Sequence, residues 1–364
     1  MITTALIKIW DEIFPNTYKM TSLDPFQLWK IIQLAKWVWC TYLILEVASH
    51  AIHQHRFEGI DFDMAVLTNI TPEHLDYHKT FESYVNTKKQ LFLQVMKNKK
   101  TSKVGILPKD DDNGRKWIEE LYFDKMLSYS INTSSMVQAE NINIQYNHTE
   151  FTINYLGKES KVSTNLPWVY NVYNTLAWIA AGLVLGIDQD KIAKDLETFT
   201  WVVGRMEPIT HNGVSYFVDF AHTPNALKSA MSYINAIKWE WKSILVFGAP
   251  GNRDRYKRPE MGKIANQAAD VIIVTDDDPD TEPRLRIIQE ITVWIKRDLW
   301  ETYMILPERE YAIRMATQIA KPWDIVLLAG KWHEHIQLTN FGKRPRSDKT
   351  KLEEILWIKE NNIE

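Results

Sequence analysis

From Val66 to Phe92 the chain reads VLTNITPEHLDYHKTFESYVNTKKQLF, an apolar run that passes directly into imidazole, carboxylate and ammonium groups. Side chains of these types can ligate a cation, relay protons or grip a charged substrate when a fold gathers them. Periodicity predicts a buried strand over Met64–Leu67 and a helix opened by Thr71 and Pro72, with His74, Asp76, His78 and Lys88 following on later turns. Open α/β sheets bind ligands at the carboxyl ends of strands, which is where this pattern puts the cluster. A second concentration of charge, NRDRYKRP, brings Arg253, Asp254, Arg255, Lys257 and Arg258 together directly after the apolar run ILVFG. A charge run of this kind is most often a solvated face, but its place behind a strand favours an anion-binding loop.

Strand and helix patterns alternate along the chain, as an α/β architecture built of βαβ units requires. Leu43–Val47 reads as a strand that presents Glu46 at its end, and Asn174–Gly186 as a helix. After Gly204 the pattern restarts with strands Tyr216–Asp219, Ile244–Phe247, Val271–Thr275 and Ile325–Ala329, which divides the chain into domains 1–204 and 205–364. Residues 103–163 alternate more weakly, as in INIQYNHTEFTINYLG, and are predicted to form a β insertion or sheet extension.

Composition narrows the function classes. A chain of 364 residues, 45% of them hydrophobic, can bury two sizeable cores. A net charge of -3 gives nucleic acid no electrostatic footprint to grip. One cysteine, Cys40, excludes a disulfide framework and a thiolate metal cluster, and fits a reducing compartment. The longest apolar stretches, such as Leu176–Ile187, are too short to cross a bilayer, so a cytoplasmic protein is expected. Two counts are odd together: glycine, at 13 residues, has about half its ~7% usual share, while tryptophan stands at 15. Trp39, Trp168, Trp201 and Trp332 occupy places where backbone chemistry asks for glycine, the trace that a genetic code reading UGA as glycine would leave.

The segments LILEVASHAIHQHR, TNITPEHLDYHKTFESYVNTKKQLF, NVYNTLAWIAAG, GRMEPI, VDFAHTPNAL, VFGAPGNRDRYKRPEMG, VTDDDPDTEP and LLAGKWHEH follow one another in the order found in the Mur ligases. The chain resembles that family over most of its length, and is most similar to members that add a diamino residue to UDP-N-acetylmuramoyl-L-alanyl-D-glutamate in peptidoglycan precursor synthesis. The resemblance implies a central ATPase-type domain and a C-terminal Rossmann-like domain, with ATP and Mg2+ as cofactors. It implies amide formation through an acyl phosphate, protected from water when the domains close. Glu46, His74 and Lys88 then resemble the metal ligands, Lys88 as the lysine that the family carbamylates. Asn171, Asn174, Arg205, Asp219 and His222 resemble the ATP-binding residues, with Lys88, Asp219 and His222 in catalytic roles. Thr21, Ser22, Ser49, Gln54 and Arg56 match the grip on the UDP-muramoyl peptide. Arg253, Asp277, Asp278, Asp280, Gly330 and Glu334 match the positions around the incoming amino acid.

Three departures from the family pattern carry expectations of their own. Members that add meso-diaminopimelate have Asp-Asn-Pro-Arg where this chain has Asp277, Asp278, Pro279 and Asp280. An acid in place of the arginine repels a distal carboxylate and favours L-lysine or a similar diamine. Ala48 replaces the first serine of the usual pair, which removes one hydroxyl contact to the peptide substrate. No Gly-Lys-Thr phosphate loop occurs, and the N-terminal UDP-binding domain is absent from the sequence. The chain as written is therefore expected to start inside the central domain and to bind ATP poorly. The alternatives are another amide ligase of the superfamily, such as a folylpolyglutamate or cyanophycin synthetase, or an inactive binding remnant. The segment HLDYH and the tail of LLAGKWHEH argue against the other ligases.

Overall fold

The computed structural model describes residues 1–16, 18, 20–145, 148–199, 206–331 and 336–361. The chain folds as two compact units, Met1–Phe199 and Thr200–Glu364. The domain boundary expected at 204/205 lies outside the described residues.

The first unit is organised by a six-stranded sheet. Its order is Met64–Val66, Val104–Pro108, Lys125–Ser130, Val137–Ile144, Thr149–Tyr155 and Lys158–Thr164. The first four strands pair in parallel and the last two return as antiparallel hairpins, so residues 103–163 extend the sheet as expected. Every residue of Val104–Pro108 is buried, as a parallel strand covered on both faces must be. Helix Val169–Val184 covers one face through Val172, Leu176, Ile179 and Ala180. Helices Phe81–Lys97 and Asp112–Glu120 cover the other, Phe92, Val95 and Trp117 meeting Leu107. Helix Asp112–Glu120 is missing from the sequence-based reading, because it is short and sits among alternating residues.

Four further boundaries differ. No full strand spans Leu43–Val47: it pairs by a single bridge with the chain start, with Ile2 N donating to Ile44 O at 2.8 Å and Glu46 N to Ile2 O at 2.9 Å. The strand predicted to reach Leu67 ends at Val66. The helix predicted after Pro72 is two pieces, Leu75–His78 and Phe81–Lys97, split at Lys79 with φ 67°. Thr80 causes the restart, since its hydroxyl accepts from Ser83 N at 3.1 Å and caps the longer helix. The helix expected from Asn174 already begins at Val169 and so carries both Asn171 and Asn174.

The second unit holds a six-stranded sheet in the order Tyr303–Ile305, Val271–Val274, Ser243–Phe247, Ile325–Ala329, Val214–Asp219 and Glu207–His211. All neighbours are parallel except the last pair. Successive side chains point to opposite faces: Tyr216, Val218, Ile244 and Val246 pack with Ala312, Ile313, Leu352 and Ile355 in one core. Strand Ile325–Ala329 enters last yet lies between Val214–Asp219 and Ser243–Phe247, which makes this the topological switch point. Among the described residues no helix is long and apolar enough to cross a membrane.

Candidate functional site

In the first unit one corner gathers most of the residues singled out above. Ser22 Oγ donates to Glu46 O at 3.1 Å and accepts from Ala48 N at 3.0 Å, so a single hydroxyl locks the segment around Glu46. Thr4 N donates to Glu46 Oε2 at 2.6 Å, and Thr4 Oγ1 lies 2.9 Å from both Glu46 Oε2 and Thr21 Oγ1. Arg56 Nη1 donates to Ser22 O at 2.8 Å and its Nε to Gln54 Oε1 at 2.9 Å. Ser49 Oγ is 2.9 Å from His78 Nε2. Thr21, Ser22, Glu46, Gln54 and Arg56 thus form one polar network linked through Thr4, and Ser49 with His78 forms a second polar pair.

Four histidines border it. The His50 ring centroid lies 4.2 Å from that of Tyr77, 4.7 Å from His74 and 5.6 Å from His78, and His53 Nδ1 is 2.8 Å from Tyr77 Oη. Burial, then the neighbouring His74 and His53, hold His78 below the ordinary histidine range, so its ring is neutral where it meets Ser49. Lys88 Nζ stands 5.2 Å from the Tyr84 ring, which packs against the rings of His74 and His78. Burial lowers the Lys88 pKa, against the opposing pull of Glu73, Asp111 and Glu46. The half-buried lysine thus has its charged form disfavoured by burial and favoured by the carboxylates around it.

A fit test for a divalent cation turns on that lysine. Among the described residues no group of three His, Cys, Asp or Glu side chains converges as a metal site. An ammonium cannot ligate a metal, whereas a carbamate on the same nitrogen supplies the missing anionic oxygens. With Lys88 in that form, the donor types of Glu46, His74 and Lys88 would suit a hard cation.

Asn171 and Asn174 share a face of helix Val169–Val184, Asn174 Nδ2 reaching Asn171 Oδ1 at 3.4 Å while Asn171 Nδ2 donates to Pro167 O at 2.8 Å. Tyr173 between them donates to Asp110 Oδ2 at 2.7 Å and ties this helix to the loop after strand Val104–Pro108.

In the second unit the named residues meet at the carboxyl ends of the strands around the switch point. Asp219 closes strand Val214–Asp219 and accepts from Met206 N and Ala221 N, both at 2.8 Å, while its carbonyl accepts from Gly330 N at 3.1 Å. At Gly330, with φ 100°, a Cβ would stand 3.1 Å from Asp277 Oδ2. At Gly248 a Cβ would come within 2.3 Å of Thr275 O, so backbone segments from three strands converge here at a distance only glycine permits. His222 is held by its own loop, Nδ1 lying 2.9 Å from Phe220 O and its carbonyl accepting from Lys257 Nζ at 2.8 Å.

Against this geometry stand the comparisons with known proteins. The Mur ligase middle domain matches residues 1–182, and the Mur ligase glutamate ligase domain matches residues 204–332. A UDP-N-acetylmuramoyl-L-alanyl-D-glutamate–2,6-diaminopimelate ligase of Caldanaerobacter subterraneus subsp. tengcongensis is 34% identical over 357 residues, which cover 98% of this chain and 72% of the relative. The chain belongs to the Mur ligase family. A ligase of the same name from Clostridium botulinum is 37% identical over 300 residues, 82% of this chain but 60% of the relative's own length. A solved structure of such a diaminopimelate ligase aligns with TM-score 0.62 at 27% identity, covering 96% of this chain and 71% of that one. The MurF ligase from Thermotoga maritima in complex with ADP aligns with TM-score 0.63 at 18% identity, covering 87% and 66%, which speaks for the fold.

Within this Mur ligase framework, several charges of the two loops are already paired. The loop NRDRYKRP is not a free basic patch: Arg258 is fully buried and pairs with Glu282 and Glu290, and Arg255 pairs with Glu290. Arg253 is left exposed in that loop. The acids that follow strand Val271–Val274 are also not three equivalent charges. Lys331, itself buried, forms an ion pair with Asp278 and approaches Asp277 at 3.4 Å, whereas the Asp280 carboxylate accepts from the neutral Asn252 at 3.1 Å. Arg205, Trp332 and Glu334 lie outside the described residues.

Several residues escaped the sequence reading. His50 and His53 stand in the quoted LILEVASHAIHQHR segment, three apart on the short helix Ser49–His53, a spacing that could have drawn notice. Asp111 caps helix Asp112–Glu120 and also accepts from Ile70 N at 2.9 Å, a double role with no local signal. Arg309, fully buried, donates to Ala329 O at 2.8 Å and Asp276 O at 3.3 Å while paired with Asp348, and so braces two of the strand ends from behind.

Proposed function

We propose that the protein is an ATP-dependent amide ligase that joins a diamino acid to UDP-N-acetylmuramoyl-L-alanyl-D-glutamate. The observation that carries this reading is the linked set of Ser22, Glu46, Gln54 and Arg56, with the Ser49–His78 pair and the half-buried Lys88 in the same unit, in a chain of the Mur ligase family. The substrate carboxylate is phosphorylated by ATP, the amine nitrogen attacks the acyl carbon, and phosphate leaves with its bonding electron pair. Arg56 and Gln54 suit an anionic, hydrogen-bonding substrate, and Ser49 and His78 add a hydroxyl and an imidazole at the same place. Magnesium, when bound, neutralises phosphate charge beside the carboxylate, and Glu46, His74 and a carbamylated Lys88 are the residues suited to hold it. Asn171 and Asn174 are assigned to the ATP base, and Arg205, Asp219 and His222 to the nucleotide from the second unit. Arg253, Asp277, Asp278, Asp280, Gly330 and Glu334 are assigned to the amino acid. ATP and a UDP-linked substrate fit a cytoplasmic setting.

For the amino acid we favour L-lysine or a similar diamine, because Asp280 stands where a distal carboxylate would need a cation. The names of the relatives favour the second reading, 2,6-diaminopimelate. Incubation of the protein with ATP, the UDP-muramoyl dipeptide and each amine, with the products weighed by mass spectrometry, separates the two. An amide with lysine supports the proposal. An amide with meso-diaminopimelate alone retains the ligase and removes the lysine preference, and no amide with either amine from protein to which ATP is bound overturns both.

A further inference from the structure

Six tryptophans hold backbone shapes that belong to glycine. Trp10, Trp39, Trp168, Trp239, Trp300 and Trp323 have φ of 55, 61, 104, 48, 73 and 78°. The glycines described at positive φ are no more numerous: Gly59, Gly157, Gly186, Gly213, Gly330 and Gly342. An L side chain in this region crowds its own backbone, and for a bulky residue it is a true outlier.

Several of these tryptophans occupy the glycine position of a defined motif. Helix Pro25–Trp37 ends in a Schellman turn, with Trp39 N donating to Lys36 O at 3.0 Å and Cys40 N to Ala35 O at 2.9 Å; Trp39 is its left-handed residue. The hairpin of Leu6–Ile9 and Glu12–Pro15 turns through Trp10 and Asp11, with positive φ at the first alone, the glycine place of a type II′ turn. Asp324 N donates to Lys321 O at 3.0 Å across Pro322 and Trp323, which puts Trp323 at the third position of a type II turn. Trp168 combines φ 104° with ψ 144°, at the edge of a region essentially reserved for glycine.

Five of the six indoles are largely exposed to solvent. Trp10, Trp39, Trp239, Trp300 and Trp323 are 65, 85, 88, 60 and 66% exposed. They are spread over turns in both units, whereas a docking surface would gather them. Trp117 shows what a tryptophan chosen for its ring looks like: 3% exposed, inside helix Asp112–Glu120, with its ring 5.3 Å from that of Phe92.

We infer that the native protein carries glycine at residues 10, 39, 168, 239, 300 and 323, because its source decodes as glycine the UGA codon written here as tryptophan. Peptide masses of the protein isolated from that source read the six positions directly. Glycine masses support the inference, and tryptophan masses overturn it. Recombinant protein gives an independent arm. Trp39→Gly, Trp168→Gly and Trp323→Gly each raise the thermal midpoint by about 2–4 °C, and Trp39→Ala, Trp168→Ala and Trp323→Ala raise it less, because alanine keeps the Cβ that the backbone rejects. Equal gains from alanine and glycine overturn the inference, since the ring rather than the backbone would then be at fault. Trp117→Gly lowers the midpoint.

Discussion

Burial that strips water from the Lys88 ammonium favours its neutral amine, the form able to attack carbon dioxide and become a carbamate. Lys88→Ala is expected to cut amide formation roughly 100-fold, with partial recovery when a short carboxylic acid is added to occupy the vacated space. Lys88→Arg, cationic at every working pH, gains nothing from the added acid. Recovery is read as product formed per unit time, and its absence in Lys88→Ala would return the lysine to a plain electrostatic role. For the amino acid, Asp280→Arg is expected to shift the ratio of meso-diaminopimelate to lysine use by about tenfold or more towards the former. An unchanged ratio would mean that Asp280 does not face the distal group. At this scale the sequence was informative about residue types and silent about pairing. Nothing in NRDRYKRP says that Arg258 is spent on Glu282 and Glu290, because both partners lie on a segment remote in sequence. Lys331 is hidden in the same way behind Asp277 and Asp278.

Among the elements, the apolar strands of the second unit were the most legible, and Ile325–Ala329 runs over the residues predicted for it. The helix after Pro72 was misread because apolar periodicity carries across a break that only backbone angles reveal, here at Lys79. Thr80→Ala removes the cap that starts helix Phe81–Lys97 and should cost about 1 kcal/mol in denaturant unfolding, while loosening the helix that carries Lys88. Gly262→Ala tests a different contact. Its Cβ would lie 1.8 Å from Ile291 O, so helices Lys257–Ala268 and Arg284–Thr292 must separate, at about 1–3 kcal/mol, also read from denaturation.

For the molecule as a whole, stability of the second unit should depend on acid through Glu282. The Arg258 guanidinium holds this carboxyl down to about 2. A folded pKa below the unfolded one contributes stability that is complete above the ordinary carboxylate range and is lost as pH falls towards 2. Glu282→Gln should therefore be less stable than the parent at neutral pH and lose less on acidification, as thermal midpoints across that range would record. Asp348→Asn leaves Arg309 buried without its counter-charge and is expected to cost about 3–5 kcal/mol, far more than loss of an exposed pair such as Lys191 with Asp195. The presence of a second parallel-rich sheet was legible because the strand pattern restarts. Strand order was not, since which strand enters between Val214–Asp219 and Ser243–Phe247 depends on helix packing that no local window contains.

The seclusion of Trp117 has a practical corollary. Exposed indoles emit at long wavelength and change little when a chain unravels, so they blur any optical signal. In a version of the protein that keeps Trp117 and replaces the other fourteen tryptophans, the ring beside Phe92 is the one indole, blue-shifted in the native state and red-shifted on release. Its colour would then follow the loss of structure in the first unit alone, and a separate probe would be needed for the second.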